Sequence, residues 1–195
     1  MRVSFGPPYL VVSGGPVAIP VRLHWSLTIG LAVFGGFTLG GALGFFLLIL
    51  VHELGHALLV RSRGLRTISI DMHWMGGECR YSSSGSALDH AVIAWGGVLA
   101  QSLLLAVTVA FLAWFNPSND FVADLASTLI IANLCLIVAN LLPLPSLDGA
   151  KAWSVFPLLL AKRRRRALEL RRDSIRRELD EIEQDDDDDS SKLLQ

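Results

Sequence analysis

His52-Glu53-Leu54-Gly55-His56 sets two imidazoles four residues apart with a carboxylate beside the first. On a helix the imidazoles share one face, which is the HExxH arrangement for a zinc ion. Glu53 points about 100° away from that face, so it suits a general base better than a fourth ligand. A zinc site that keeps a position open for water needs a third protein ligand. The conspicuous candidate is Asp148, in Asn140-Leu141-Leu142-Pro143-Leu144-Pro145-Ser146-Leu147-Asp148-Gly149. Two prolines there prevent continuous helix, and Gly149 permits an unusual backbone angle. The stretch is either an ordinary membrane-surface loop or a ligand loop; beside HExxH, the ligand loop is expected.

These residues sit in an apolar setting. The chain has 195 residues, 52% hydrophobic and only 18% charged, against about 25% charged in soluble domains. Residues 1–160 hold 7 Lys/Arg and 7 Asp/Glu, and residues 161–195 hold 10 and 11. The net charge of -1 therefore hides an apolar body and a charged tail. Each ionisable residue at bilayer depth costs ~2.5–3.5 kcal/mol on the lenient insertion scale, so three within five residues call for a partner such as a divalent cation. With only Cys79 and Cys135, a disulfide framework and a four-cysteine metal site are excluded. Pro7, Pro8, Pro16 and Pro20 break the N-terminal stretch, so no removable signal peptide is expected.

The expected fold is an all-α polytopic membrane protein: about four transmembrane helices, a small membrane-associated β-hairpin and a charged cytoplasmic tail helix. Residues 1–22 form an extended segment, 23–161 the membrane core and 162–195 a charged helix with an acidic tail. Residues 23–60 are too long for one crossing, so they turn back at Gly40-Gly41, giving helices near 23–39 and 42–61. The glycines at 36, 40 and 44 fit a packing stripe as well. Residues 66–82 alternate apolar and polar, with Gly76-Gly77 between two short runs, which reads as the hairpin. Apolar segments 87–115 and 121–142 make the third and fourth crossings, and 150–161 completes the fourth. Residues 162–184 form the tail helix, and the run Asp185–Asp189 is expected to be disordered.

The two metal motifs, in this order, resemble those of the site-2 proteases, intramembrane zinc metalloproteases carrying HExxH and a later NxxPxxxLDG-type motif. The likeness extends to Pro20-Val21-Arg22-Leu23-His24-Trp25 and to Met75-Gly76-Gly77, covering roughly residues 17–160, with no appended PDZ or CBS domain. Gly96-Gly97 with Gln101 loosely resembles a third-helix Gly-Pro and Asn pattern. The resemblance implies that His52, His56 and Asp148 ligate Zn2+ and that Glu53 is the general base. It further implies a transmembrane protein as substrate, cut within the lipid bilayer as in regulated intramembrane proteolysis.

For substrate contact, the hairpin with its Gly76-Gly77 turn either pairs with an extended substrate strand or serves as a structural flap. Asn140 either holds substrate backbone or caps a broken helix. A catalytically silent zinc-binding membrane chaperone or scaffold is the rival reading, with a metal ion transporter behind it. The acidic run argues against nucleic acid as a partner. Arg22, Arg61, Arg63, Arg66 and Lys162–Arg166 fall on one side of four crossings, so a multi-pass protein of the cell membrane with both termini cytoplasmic is expected. A reporter fused at residue 118 is expected to behave as non-cytoplasmic; a cytoplasmic signal there would defeat this topology.

Overall fold

The computed structural model describes residues 2–6, 9–13, 19–115 and 119–193, with side chains for 9–12, 19–115 and 119–177. Two compact units are present, Met1–Val155 and Phe156–Gln195. The first is a polytopic helical membrane body with a small sheet.

Strands β1 (Arg2–Gly6), β2 (Tyr9–Ser13), β3 (Val21–His24), β4 (Thr67–His73) and β5 (Gly76–Tyr81) form one sheet in sequence order. All neighbours are antiparallel except β3 and β4, which run parallel. The expected hairpin is present as β4–β5. The extended N-terminal segment adds three strands to it. Val21 pairs with Ile70 and Leu23 with Met72, and Ile70 and Met72 are fully buried in an apolar cluster with Leu27, Phe45, Ile49 and Ala57. That burial takes Leu23 and His24 into a strand, not the first helix.

Helix α1 covers only Leu27–Phe34 and α2 covers Leu39–Ser62. The turn between them lies at residues 35–38, ahead of the expected Gly40-Gly41 hinge. Gly36 and Phe37 adopt left-handed backbone angles there (φ 66° and 58°), and the Thr38 hydroxyl caps α2 by accepting from the Gly41 amide at 3.1 Å. Gly40 and Gly44 serve packing instead: a Cβ on either would lie 2.2 Å from the Phe121 carbonyl oxygen or 2.9 Å from Thr128 Cβ.

Three helical stretches are long and apolar enough to cross a bilayer: α2, α3 (Ala87–Trp114) and residues Asp120–Leu141. The 24 residues of α2 rise about 36 Å, more than the hydrocarbon core, whereas the eight residues of α1 rise about 12 Å. Helix α3 opens on a capping box in which the Ser86 hydroxyl accepts from the Asp89 amide at 3.2 Å and Asp89 accepts from the Ser86 amide at 3.0 Å. The third stretch comprises α4 (Asp120–Ser127), a π-helical turn (Thr128–Ala132) and α5 (Asn133–Leu141). Of the expected connection at 116–120, residues 116–118 lie outside the described residues.

Residues 150–161, expected to complete the fourth crossing, do not continue the helix that ends at Leu141. Leu142 turns extended (ψ 137°), a five-residue α6 follows (Asp148–Ala152), and α7 runs over Val155–Leu193. The residue preceding a proline is biased away from helix, which ends α5 before Pro143. The acidic run at 185–189, expected to be disordered, has helical backbone within α7; adding residues to a formed helix is far easier than nucleating one.

Helices α2 and α3 meet at backbone contact. A Cβ on Gly55 would lie 2.2 Å from the Gly96 carbonyl oxygen, and one on Gly96 would lie 2.5 Å from that of Gly55. Gly96→Val is therefore expected to force the helices apart and cost roughly 1–3 kcal/mol, read as a lowered unfolding midpoint of the detergent-solubilised protein.

Candidate metal centre and cavity

The α2–α3 crossing lies inside the HExxH segment, and both of its histidines emerge beside it. His52 Nε2 and His56 Nε2 are 3.0 Å apart. Asp148 Oδ2, ninety-two residues beyond His56, lies 2.9 Å from the first and 3.1 Å from the second. Elsewhere on its ring, His56 Nδ1–H donates to the Ile93 carbonyl of α3 at 2.8 Å. That bond fixes the neutral tautomer and leaves Nε2 with a lone pair aimed at the cluster.

Three lone-pair atoms thus face one another within 4.8 Å, in a region where His56 is buried and His52 half-buried. A tetrahedral zinc ion with ligands about 2.05 Å away has ligand–ligand edges of about 3.3 Å, close to these separations. Two imidazole nitrogens and one carboxylate oxygen are also a usual zinc donor set. The residues fit the ion.

Room for them comes from missing side chains. A Cβ on Gly97 would lie 2.3 Å from His52 Cε1, and one on Gly77 of β5 would lie 2.6 Å from Glu53 Cγ. The Gly96-Gly97 pair thereby divides its work: Gly96 lets the helices touch and Gly97 admits the His52 ring.

Asp148 is held by the break after α5. Trp153 Nε1–H donates to the Leu141 carbonyl at 2.7 Å and Trp95 Nε1–H of α3 donates to the Ala152 carbonyl at 2.9 Å. The two indoles meet edge to face, 5.4 Å between centroids. A Cβ on Gly149 would collide with the Leu142 carbonyl oxygen at 2.3 Å, so α6 lies directly on the end of α5.

A cavity of about 720 Å³ opens over this centre. Glu53, Gly77 and Asn140 line it together with His52, His56 and Asp148. Gly76 is not among the lining residues; it starts β5 at φ 148°. Gln101 does not line the cavity either. It is buried at the contact with α5, where its carbonyl accepts from Asn133 Nδ2 at 3.0 Å. Tyr81, to which sequence reasoning assigned no role, and His90, which it ranked low as lying near a polar connection, do line it, with Tyr81 Oη 3.1 Å from His90 Nδ1. Strand alternation from Gly77 through Cys79 to Tyr81 was the available signal. Burial, with the Glu53 and Glu78 carboxylates beside it, pushes the Cys79 thiol up to about 12, so it is no thiolate nucleophile at neutral pH.

A family model described as Peptidase M50B-like matches residues 42–168, nearly two thirds of the chain. The chain belongs to the site-2 protease family. A solved structure with the same fold is the site-2 protease from Methanocaldococcus jannaschii, 21% identical, with a TM-score of 0.58, covering 79% of this chain and 72% of that one. None of the curated proteins compared with the chain matches it. Membership makes this chain a member of a family of zinc metallopeptidases of membranes, and the matched segment holds HExxH and Asp148 together.

Because Gly97 leaves no space beside the His52 ring, Gly97→Ala is expected to weaken zinc binding by at least about tenfold, as loss of orienting contacts does at metal sites. Competition with a chelator measures this, with helix content unchanged by circular dichroism.

Proposed function

We propose that this chain is an intramembrane zinc endopeptidase that hydrolyses a peptide bond in or near a transmembrane segment of a membrane protein. The observation that carries the reading is the meeting of His52 Nε2, His56 Nε2 and Asp148 Oδ2 at 2.9–3.1 Å, beneath a cavity that Glu53 also lines. Zinc held by these three supplies a Lewis acid for the scissile carbonyl and lowers the pKa of water to about 7.

Glu53 accepts the proton of the attacking water as the new C–O bond forms, then delivers it to the amine nitrogen as the C–N bond breaks. Its burial at 4% exposure keeps bulk water from competing for that proton. The Ile93 carbonyl holds His56 in the ligating tautomer, and Trp95 and Trp153 hold the loop that presents Asp148.

A transmembrane helix hides its peptide bonds in internal hydrogen bonds, so the substrate must be extended where it is cut. Strand β5 ends the sheet, and five consecutive residues of it, Gly77 to Tyr81, line the cavity. Alternate side chains point to opposite faces, so a consecutive run supports a cavity that follows the strand's edge. We assign that edge to pairing with extended substrate, with Gly77 allowing close approach and the Asn140 amide steadying substrate backbone. Gly76 then acts only by shaping the turn. We assign the enzyme to the cell membrane with both termini cytoplasmic, a reading supported by Arg61 in the last turn of α2 and by Arg63 and Arg66 just beyond it.

Co-expression with single-pass membrane proteins tests the reading. Glu53→Gln is expected to lower cleavage by on the order of 10²–10⁴-fold while keeping its zinc. Asp148→Asn is expected to lose both zinc and cleavage while still inserting. Full zinc content and activity in Asp148→Asn would remove it as a ligand, and stoichiometric substrate retention without fragments would favour a scaffold.

A further inference from the structure

A second cavity, of about 650 Å³, lies elsewhere on α2. Its α2 wall is Val51, Leu54, Gly55, Ala57, Leu58 and Arg61, a stripe at helical spacing on the side roughly opposite His52 and His56. Ala100 of α3 closes one side, and Ile19 with the segment 65–67 closes another. Gly64, at φ 71°, turns the chain back so that Leu65 and Arg66 stand over the end of α2.

The cavity is amphipathic in a particular sense. From Val51 to Arg61 the helix rises about 15 Å, which is one leaflet of a ~30 Å hydrocarbon core. Apolar side chains line that length, and two guanidinium groups, Arg61 and Arg66, stand at its end. Of the three arginines at and beyond the end of α2, Arg63 is paired with Asp89 at 3.7 Å. Neither Arg61 nor Arg66 has an ion pair among the described residues. Residues 1–52 contain no Asp or Glu at all, so the N-terminal segment beside the cavity can supply no counter-charge.

We propose that this cavity binds one anionic phospholipid, its phosphate between Arg61 and Arg66 and an acyl chain along Val51, Leu54 and Leu58. A guanidinium fork matches phosphate oxygens, and the apolar length behind it matches a chain within one leaflet. No carboxylate lines the cavity to hold the ammonium of a zwitterionic headgroup, so selection favours net negative charge. Gly55, part of this wall, is also the point where α2 touches Gly96; a lipid seated there braces the helix that carries both histidines. The site stands independently of the proteolytic reading, because its test measures binding without turnover.

The test is native mass spectrometry of the full chain released from vesicles of equimolar phosphatidylglycerol and phosphatidylcholine. The expected result is one retained phosphatidylglycerol, favoured over phosphatidylcholine by at least about tenfold. The R61Q/R66Q variant should lose that preference, and R63Q should keep it. Ala100→Phe, which fills the groove and leaves both arginines, should lose the retained lipid even if R61Q/R66Q inserts poorly. Equal retention of the two lipids by the unaltered chain, undiminished retention in Ala100→Phe, a lipid-free dimer, or displacement of the lipid by inorganic phosphate would each overturn the proposal.

Discussion

Two imidazoles and two carboxylates share one small space inside a helical membrane body, and the surrounding structure is arranged to keep them there. His52, Glu53 and His56 cannot leave, since they belong to a spanning helix. Asp148 cannot swing away, since α6 is clamped between α3 and the end of α5. Lone pairs 2.9–3.1 Å apart repel unless something positive lies among them, and burial makes that repulsion stronger than it would be in water. A divalent ion removes the conflict; a fully apolar substitute would remove the chemistry with it.

Glycine is what makes such crowding sterically possible. Gly55 and Gly96 let α2 and α3 touch backbone to backbone, Gly97 leaves space for the His52 ring, and Gly77 brings β5 against Glu53. Each lies where a Cβ would occupy volume that a functional group needs. The centre is therefore shaped from both sides of α2, by a helix on one and a strand on the other. Close helix approach through small residues is common in membranes, where lipid offers no hydrophobic drive for association. Here the same device also sets the position of two histidines.

The three side chains that meet were legible in the sequence because their setting carries the pattern: four residues between the two histidines, and a proline-broken loop for the aspartate. The β4–β5 hairpin was legible for the same reason, through period-two alternation beside a Gly-Gly turn. What escaped was non-local. Val21-Arg22-Leu23-His24 becomes a strand between β2 on one side and, on the other, Ile70 and Met72, more than forty residues later, and nothing local distinguishes it from the start of an apolar helix. The turn before α2 was misplaced because Gly35-Gly36 and Gly40-Gly41 carry equal local signals. Packing against α4 decides between them, by claiming Gly40 and Gly44.

The sheet's order gives a reason for its existence in a protein that is otherwise helical. An edge strand exposes unpaired amides and carbonyls, a liability that folds ordinarily cover or blunt, and in hydrocarbon each unsatisfied group costs more still. Three of the five strands, β1 to β3, give the cavity no lining residue, β4 gives it Ile68, and β5, which ends the series, gives it five. Asp71, buried within β4, reaches Arg80 of β5 at 3.2 Å and Arg22 of β3 at 3.9 Å, tying the edge strand inward to the parallel neighbour. Of the sheet's two edges, β1 and β5, it is the β5 row of hydrogen-bonding groups that lies beside Glu53. On the proposed reading, that row is where an extended substrate strand would pair, its backbone groups satisfied by the β5 edge.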